Sequence, residues 1–269
     1  MTRTVWLASY PKSGNTWVRA FLHNYITQSD TPQNINALTD FSVAECAAAF
    51  FHAAGQSLTT QATQRLRPGV HKSLTELHDD LVFVKTHNAN LAVHEIPLCT
   101  PAQSAGAIHI VRDPRDVVLS YSAFLGKPVD DIIAFMANPR AANRATPHQV
   151  FEFLASWSIH TESWLNAKNT FLVRYEDLAT APETYFGRLI NFLGGDPAPS
   201  RLTRAIAQSD FKILAAQERE VGYKAGLSAG GQKFFRAGKV AGWRNILTPE
   251  QTAQIEETHA TTMKKLNYL

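Results

Sequence analysis

Cysteine is scarce in this chain: Cys46 and Cys99 are the two in 269 residues. Two thiols make neither a disulfide framework nor a zinc set, which takes about four ligands. A reducing cytoplasm is the simplest setting. Long apolar runs are missing too, none approaching the ~18–20 residues of a membrane span. Lys12 and Arg19 interrupt any signal-peptide core in residues 1–28. Charge of one sign is nearly absent: Lys plus Arg number 26 against 23 Asp plus Glu, a net of +3. That is too little to predict nucleic-acid binding, although one local cationic site fits it. What remains is an ordinary globular composition, 45% apolar and 18% charged, on a chain long enough to bury a core unaided. A secreted disulfide scaffold, a membrane protein, a fibre and wholesale disorder are excluded. The chemistry stays open.

Four short runs rich in Val, Ile, Leu and aromatics predict buried parallel strands: Thr4–Ser9, Leu81–Thr86, Ala107–Arg112 and Phe171–Tyr175. Helical patterns lie between them. Asn15–Thr27 follows the first run directly. Pro114–Phe124 follows the third, with Asp113 as N-cap and Pro114 at the first helical position. Apolar spacing predicts a helix over His148–Ala167. Glu183–Leu193 ends at Gly194-Gly195, a C-cap signal. Thr248-Pro249-Glu250-Gln251 reads as a capping box opening the last helix. Such alternation predicts an α/β fold with a central, mostly parallel sheet flanked by helices. No repeat and no strong domain boundary interrupts residues 1–269, which read as a single domain. An insertion of helices and loops covers about residues 29–75. Residues 222–242 hold six glycines with Lys224, Lys233, Arg236 and Lys239 and no acid. That loop reads either as a lid over an anionic ligand or as a solvated surface loop.

The sharpest local signal is the first strand–turn–helix. Tyr10-Pro11-Lys12-Ser13-Gly14-Asn15-Thr16-Trp17 runs from a strand into a helix start, where open backbone N–H groups and the helix dipole favour a phosphate. Gly14 permits close approach, Ser13 and Thr16 add hydroxyls, and Lys12 adds charge. An oxyanion site and an ordinary tight turn with a helix cap both fit. A Walker A does not, because Lys12 precedes the glycine rather than following it.

Here the sequence resembles the PAPS-dependent sulfotransferases, which use 3′-phosphoadenosine 5′-phosphosulfate. Residues 10–17 look like their 5′-phosphosulfate loop, with Asn15 in place of the common Thr. Arg112-Asp113-Pro114-Arg115-Asp116, with Ser120 beyond, resembles the 3′-phosphate site, and Lys85-Thr86-His87 the catalytic segment. Tyr175-Glu176-Asp177-Leu178 matches a recurrent motif. Phe235-Arg236-Ala237-Gly238 and Gly242-Trp243-Arg244-Asn245 are similar to the lid segment. The resemblance spans about residues 4–250, with five motifs in the family's order. The loop looks most like that of bacterial natural-product sulfotransferases.

The resemblance implies a P-loop-like three-layer fold, cytoplasmic, and in-line sulfuryl transfer from PAPS to an acceptor hydroxyl, leaving a sulfate ester and PAP (3′,5′-ADP). It selects His87, out of ten histidines, as general base, with Lys12 and Lys85 stabilising transferred charge. His109, inside a strand, reads as core, and His23 and His160 lie on predicted helices with no partner pattern. Lys12, Ser13, Gly14, Asn15, Thr16 and Trp17 would bind the 5′ end and base. Arg112, Ser120, Arg236, Ala237 and Gly238 would take the 3′-phosphate, and Tyr175, Ser209 and Phe211 would flank the adenine. Ala237 stands where the family has a lysine, and Gly242 where it has Asp. No metal is implied, since a sulfuryl group carries less charge than a phosphoryl group and the chain has no metal-site motif. The acceptor would be a small-molecule or natural-product hydroxyl, walled by Phe50, Phe51, Phe124, Phe135 and Tyr223, with neither nucleic acid nor membrane as partner. Thr248-Pro249 with Ala253 does not keep the animal enzymes' dimerisation segment, which leaves the oligomeric state open. A P-loop kinase and a non-catalytic nucleotide-binding protein on the same fold are the competing readings.

Overall fold

A computed structural model describes residues 3–51, 58–224, 233–236 and 238–269. In chain order its strands are β1 (Arg3–Ser9), β2 (Ser42–Ala44), β3 (Leu81–Thr86), β4 (Ala92–Val93), β5 (Ile96–Pro97), β6 (Ser104–Val111), β7 (Ala142–Asn143), β8 (Glu152–Phe153) and β9 (Thr170–Arg174). Its helices are α1 (Asn15–Thr27), α2 (Leu38–Phe41), α3 (Thr60–Leu74), α4 (Pro114–Leu125), α5 (Val129–Ala137), α6 (Trp157–Leu165), α7 (Tyr175–Thr180), α8 (Pro182–Phe192), α9 (Pro199–Gln208), α10 (Phe211–Val221) and α11 (Pro249–Lys265). The chain divides into two compact units. One comprises Met1–Tyr10, Ser42–His109 and Phe135–Leu172, and the other Pro11–Phe41, Ile110–Ala134 and Val173–Leu269.

The first unit is built on the sheet. Among the described residues five strands run in the order β2-β3-β1-β6-β9. β1 and β3 pair in parallel from Arg3 opposite Leu81 to Ala8 opposite Thr86, and β2 joins β3 with Val43 opposite Val84. Strands buried on both faces read as continuous apolar runs, which is why β1, β3 and β6 match their predicted positions closely. The core beside them gathers Trp6, Val82, Val84, Cys46, Cys99, Leu74 and Trp164. Both cysteines are free and buried. Two features depart from expectation. β2 lies within the stretch read as helices and loops; three residues are too few to show a period. The helix expected over His148–Ala167 is only Trp157–Leu165. Ahead of it, β8 pairs antiparallel with β7, Ala142 opposite Phe153. Ala155 takes a positive φ of 56°, and the Ser156 side chain caps α6 by accepting the Ile159 N–H. The apolar spacing over residues 150–157 mimics a helix, but the side-chain cap at Ser156 sets the start.

The second unit is helical. Asp113 caps α4 by accepting the Arg115 N–H at 2.9 Å, with Pro114 at the first position. Gly126, at φ 64°, ends that helix. Thr248 and Gln251 form the predicted capping box of α11. Phe21 stacks on Phe186 from α8 at 3.7 Å between ring centroids. Ala20, Ile35, Leu38, Leu214 and Tyr223 form a core cluster, with Trp17, Phe234 and Phe235 packed against it. Among the described residues no helix is long and apolar enough to cross a membrane.

Two buried histidines set a pH limit on this fold. Burial holds His109 down to about 3 and His259 down to about 4. In the unfolded chain both would titrate near ~6.5. Below that pH the unfolded state binds more protons, so stability falls as the pH drops from ~6.5 toward ~4. Thermal melts should show the midpoint declining across that window, and His259→Gln should shallow the decline. A midpoint flat from pH ~7 to ~4.5 would contradict it.

Candidate functional site

The turn between β1 and α1 has an unusual backbone. Lys12 and Gly14 both take positive φ, 68° and 105°. Gly14 is the N-cap of α1 and supplies no side-chain cap; the Trp17 N–H bonds the Gly14 carbonyl at 3.0 Å, and the positive end of the helix dipole lies at this turn. A side chain at Gly14 would be strained by its φ and would place Cβ 2.8 Å from the Tyr175 ring. Ser13, Asn15 and Thr16 are buried. Among the described residues the Ser13 hydroxyl has no hydrogen-bond partner. Buried polar groups rarely stay unsatisfied, and a bound anion would satisfy this one. The Lys12 ammonium lies over two aromatic rings, 3.5 Å from the centre of Phe234 and 4.4 Å from that of Phe124.

Arg112 follows β6 directly and is 9% exposed. Its guanidinium donates to the Lys12 carbonyl at 3.3 Å and to the Lys239 carbonyl at 2.9 Å. It lies 4.3 Å over the Tyr175 ring and 4.0 Å from an Asp116 oxygen. Its Nε has no partner among the described residues. Asp116 accepts the N–H groups of Ala241 and Trp243 at 2.8 and 3.0 Å, which ties residues 239–243 to α4. Burial pushes the Asp116 carboxyl up despite Arg112 and these donors. Arg115 goes elsewhere, to Asp113, Glu256 and the Tyr268 carbonyl. Glu176 accepts the Asp113 N–H at 3.0 Å and the Tyr268 hydroxyl at 2.8 Å. The Tyr175–Leu178 motif thus braces the turn that carries Arg112.

The other expected residues of this unit fall as follows. Trp17 meets Tyr175 edge-on at 5.4 Å. Thr16 Oγ1 lies 3.5 Å from the Tyr223 hydroxyl. Ser120 is half-buried on α4. Ser209 is fully buried and donates its hydroxyl to the Ala205 carbonyl at 2.8 Å. Gly238, at φ 61°, runs so close to Phe211 that a Cβ there would stand 2.5 Å from the ring. Arg236 is exposed. Ala237 lies outside the described residues, as does the middle of the glycine-rich loop, 225–232.

Lys85 and His87 belong to the first unit. Lys85 is near the end of β3 and His87 just past it, both half-buried, at the carboxyl end of a parallel strand where ligands of open α/β sheets bind. His87 Nδ1 lies 2.8 Å from the Ser9 carbonyl oxygen. A carbonyl only accepts, so Nδ1 carries the proton and the neutral ring has its lone pair on Nε2. The Ser9 hydroxyl is 3.3 Å from the same nitrogen. The next residue, Asn88, is fixed by Glu45 at 2.9 Å and by the Phe153 N–H at 2.8 Å. Glu45 also receives Arg67 and His71, all three fully buried. Sequence reading missed Glu152, whose carboxylate accepts the His87 N–H at 3.2 Å. The available signal was a lone acid inside the apolar run Val150–Leu154. Among the described residues no cluster of His, Cys, Asp or Glu could hold a metal ion.

Comparison with known proteins places these observations. The sulfotransferase domain matches residues 2–267. Cytosolic sulfotransferase 13 of Arabidopsis thaliana is 23% identical over 268 residues, covering 94% of this chain and 74% of that protein. Flavonol 4′-sulfotransferase of Flaveria chlorifolia is 23% identical over 270 residues, covering 94% and 77%. Among solved structures, retinol dehydratase with androsterone and the inactive cofactor PAP superposes with a TM-score of 0.65 at 18% identity, covering 97% of this chain and 80% of that one. The fold is therefore the α/β sulfotransferase fold, and the chain belongs to the sulfotransferase domain family.

Proposed function

We propose that this protein transfers a sulfuryl group from PAPS to the hydroxyl of a small-molecule acceptor. The observation that carries the reading is the second unit's arrangement around Arg112. An N-terminal helix turn with two positive φ angles, an unsatisfied buried serine hydroxyl and a buried arginine with an open Nε together make a cradle for a doubly phosphorylated ligand. PAP in the retinol dehydratase structure supports the donor's identity.

PAPS supplies a sulfuryl group on a good leaving phosphate. Lys12 and the first N–H groups of α1 hold the 5′ end and stabilise the charge that develops on the leaving oxygen. Arg112, with Ser120, Arg236 and Gly238, binds the 3′-phosphate. Trp17, Tyr175 and Phe211 offer aromatic surface to the adenine. His87 Nε2 takes the acceptor proton as the new O–S bond forms and the S–O bond to the phosphate breaks. Lys85 steadies the sulfuryl oxygens. The acceptor class follows the flavonol and steroid named for the relatives. A cytoplasmic setting agrees with two free thiols.

Labelled-sulfate transfer from PAPS to a panel of phenols, flavonols and steroid alcohols tests the reading, with chelator present. His87→Ala should lower kcat by ~10²–10⁴-fold and leave 3′,5′-ADP affinity unchanged. Turnover of Mg-ATP without PAPS use would overturn the assignment. Arg112→Ala should weaken 3′,5′-ADP by ~10–100-fold in calorimetry, the range of a lost charged hydrogen bond. An unchanged affinity would remove Arg112 from the donor site.

A further inference from the structure

The first unit buries a carboxylate that the chemistry above does not use. Glu152 lies in β8 and is 2% exposed. An apolar residue would fill that place at less desolvation cost. Both its oxygens are occupied. Oε1 accepts the His87 N–H at 3.2 Å, and Oε2 accepts the Asn143 amide at 3.0 Å. Burial pushes this carboxyl up, but the attraction of a protonated His87 ring, of Lys85 and of these two hydrogen bonds outweighs it and holds it below the usual range. Glu152 is thus a fixed anion beside the Lys85–His87 pair.

Both the backbone and the ring of His87 are held. Glu152 takes its N–H, the His160 Nε2 lies 3.2 Å from its carbonyl oxygen, and the Ser9 carbonyl takes Nδ1. The last contact selects Nε2 as the basic nitrogen. The first brings a full negative charge to the backbone of the same residue.

We infer that Glu152 is a positioning residue for His87: it anchors the turn carrying the imidazole and supplies the negative charge that stabilises the imidazolium formed when Nε2 takes the acceptor proton. The inference rests on the reading of His87 as the base. The charges facing His87 decide the sign. Lys85, on β3, opposes protonation of His87. His160, on α6, is kept neutral by burial and by the neighbouring His109 and His87, and contributes no charge. Cys46, just past β2, has its thiol pushed up by burial and stays protonated. Glu45 is neutralised by its ion pair with Arg67. Among these described neighbours Lys85 and Glu152 are the opposing charges, and Glu152 restores the basicity that Lys85 removes.

Histidine-selective NMR titration of the full chain tests this without any acceptor. Glu152→Gln keeps the size and an oxygen to accept the His87 N–H, and the Asn143 amide can turn to accept the new NH₂. It should lower the His87 pKa by about one pH unit, while Glu152→Asp, which keeps the charge, should hold it near the wild-type value. The acidic limb of kcat/KM for a phenol acceptor should move down with it. An unchanged His87 pKa in Glu152→Gln, or equal falls in both variants, would overturn the inference. If Glu152→Gln does not fold, Lys85→Met probes the same balance and should raise the His87 pKa; no rise would overturn it equally. Sulfate transfer that survives His87→Ala would sink the base assignment alone and leave the titration result standing.

Discussion

A buried guanidinium has to be satisfied wherever it sits, and the second unit is organised by how Arg112 meets that demand. Its donors reach the carbonyls of Lys12 and Lys239, its face covers Tyr175, and an Asp116 oxygen stands 4.0 Å away. Three segments distant in sequence, around Lys12, Tyr175 and Lys239, are thereby tied to one side chain. Asp116 extends the tie by taking two N–H groups from residues 241 and 243. Arg112 is held by carbonyls and a ring more than by an anion, which leaves its charge only partly compensated. That is the electrostatic condition a polyanionic donor needs.

Lys12 follows the same logic. Two aromatic faces hold its ammonium close to the turn at modest desolvation cost. The positive φ values of Lys12 and Gly14 shape the turn that opens α1, the kind of backbone concavity that suits an anion. In the first unit the counterpart is His87, whose tautomer is set by the Ser9 carbonyl, beside an anion and a cation of opposite effect. A net charge of +3 for the chain conceals this. The useful positive charge is local, while elsewhere arginines such as Arg115 and Arg67 are spent on buried ion pairs.

Much of this was legible in the sequence where local chemistry and tertiary context agree. α1 spans Asn15–Thr27, the helical segment expected directly after the first strand, Asp113 and Thr248 cap where their side chains allow, and β3 spans Leu81–Thr86. The failures have physical causes. β2 is too short to carry a period, and its identity as a strand comes from pairing with β3. Val150, Phe151 and Leu154 are buried in a segment that pairs as strand β8, so their apolar spacing mimics a helix without forming one. The tie from Glu176 to the Asp113 amide is a contact 63 residues apart in sequence. Glu152 stood out only as an acid in an apolar run. Its bond to the His87 backbone is a tertiary fact that no spacing encodes.

The central claim is that the Arg112 cradle recognises a 3′-phosphate. Calorimetric titration of the wild-type protein with 3′,5′-ADP and with 5′-AMP tests it most directly, because the two ligands differ in that group alone. The account predicts that 3′,5′-ADP binds at least ~10-fold more tightly, the worth of one charged hydrogen-bonded contact. Equal affinities would contradict it.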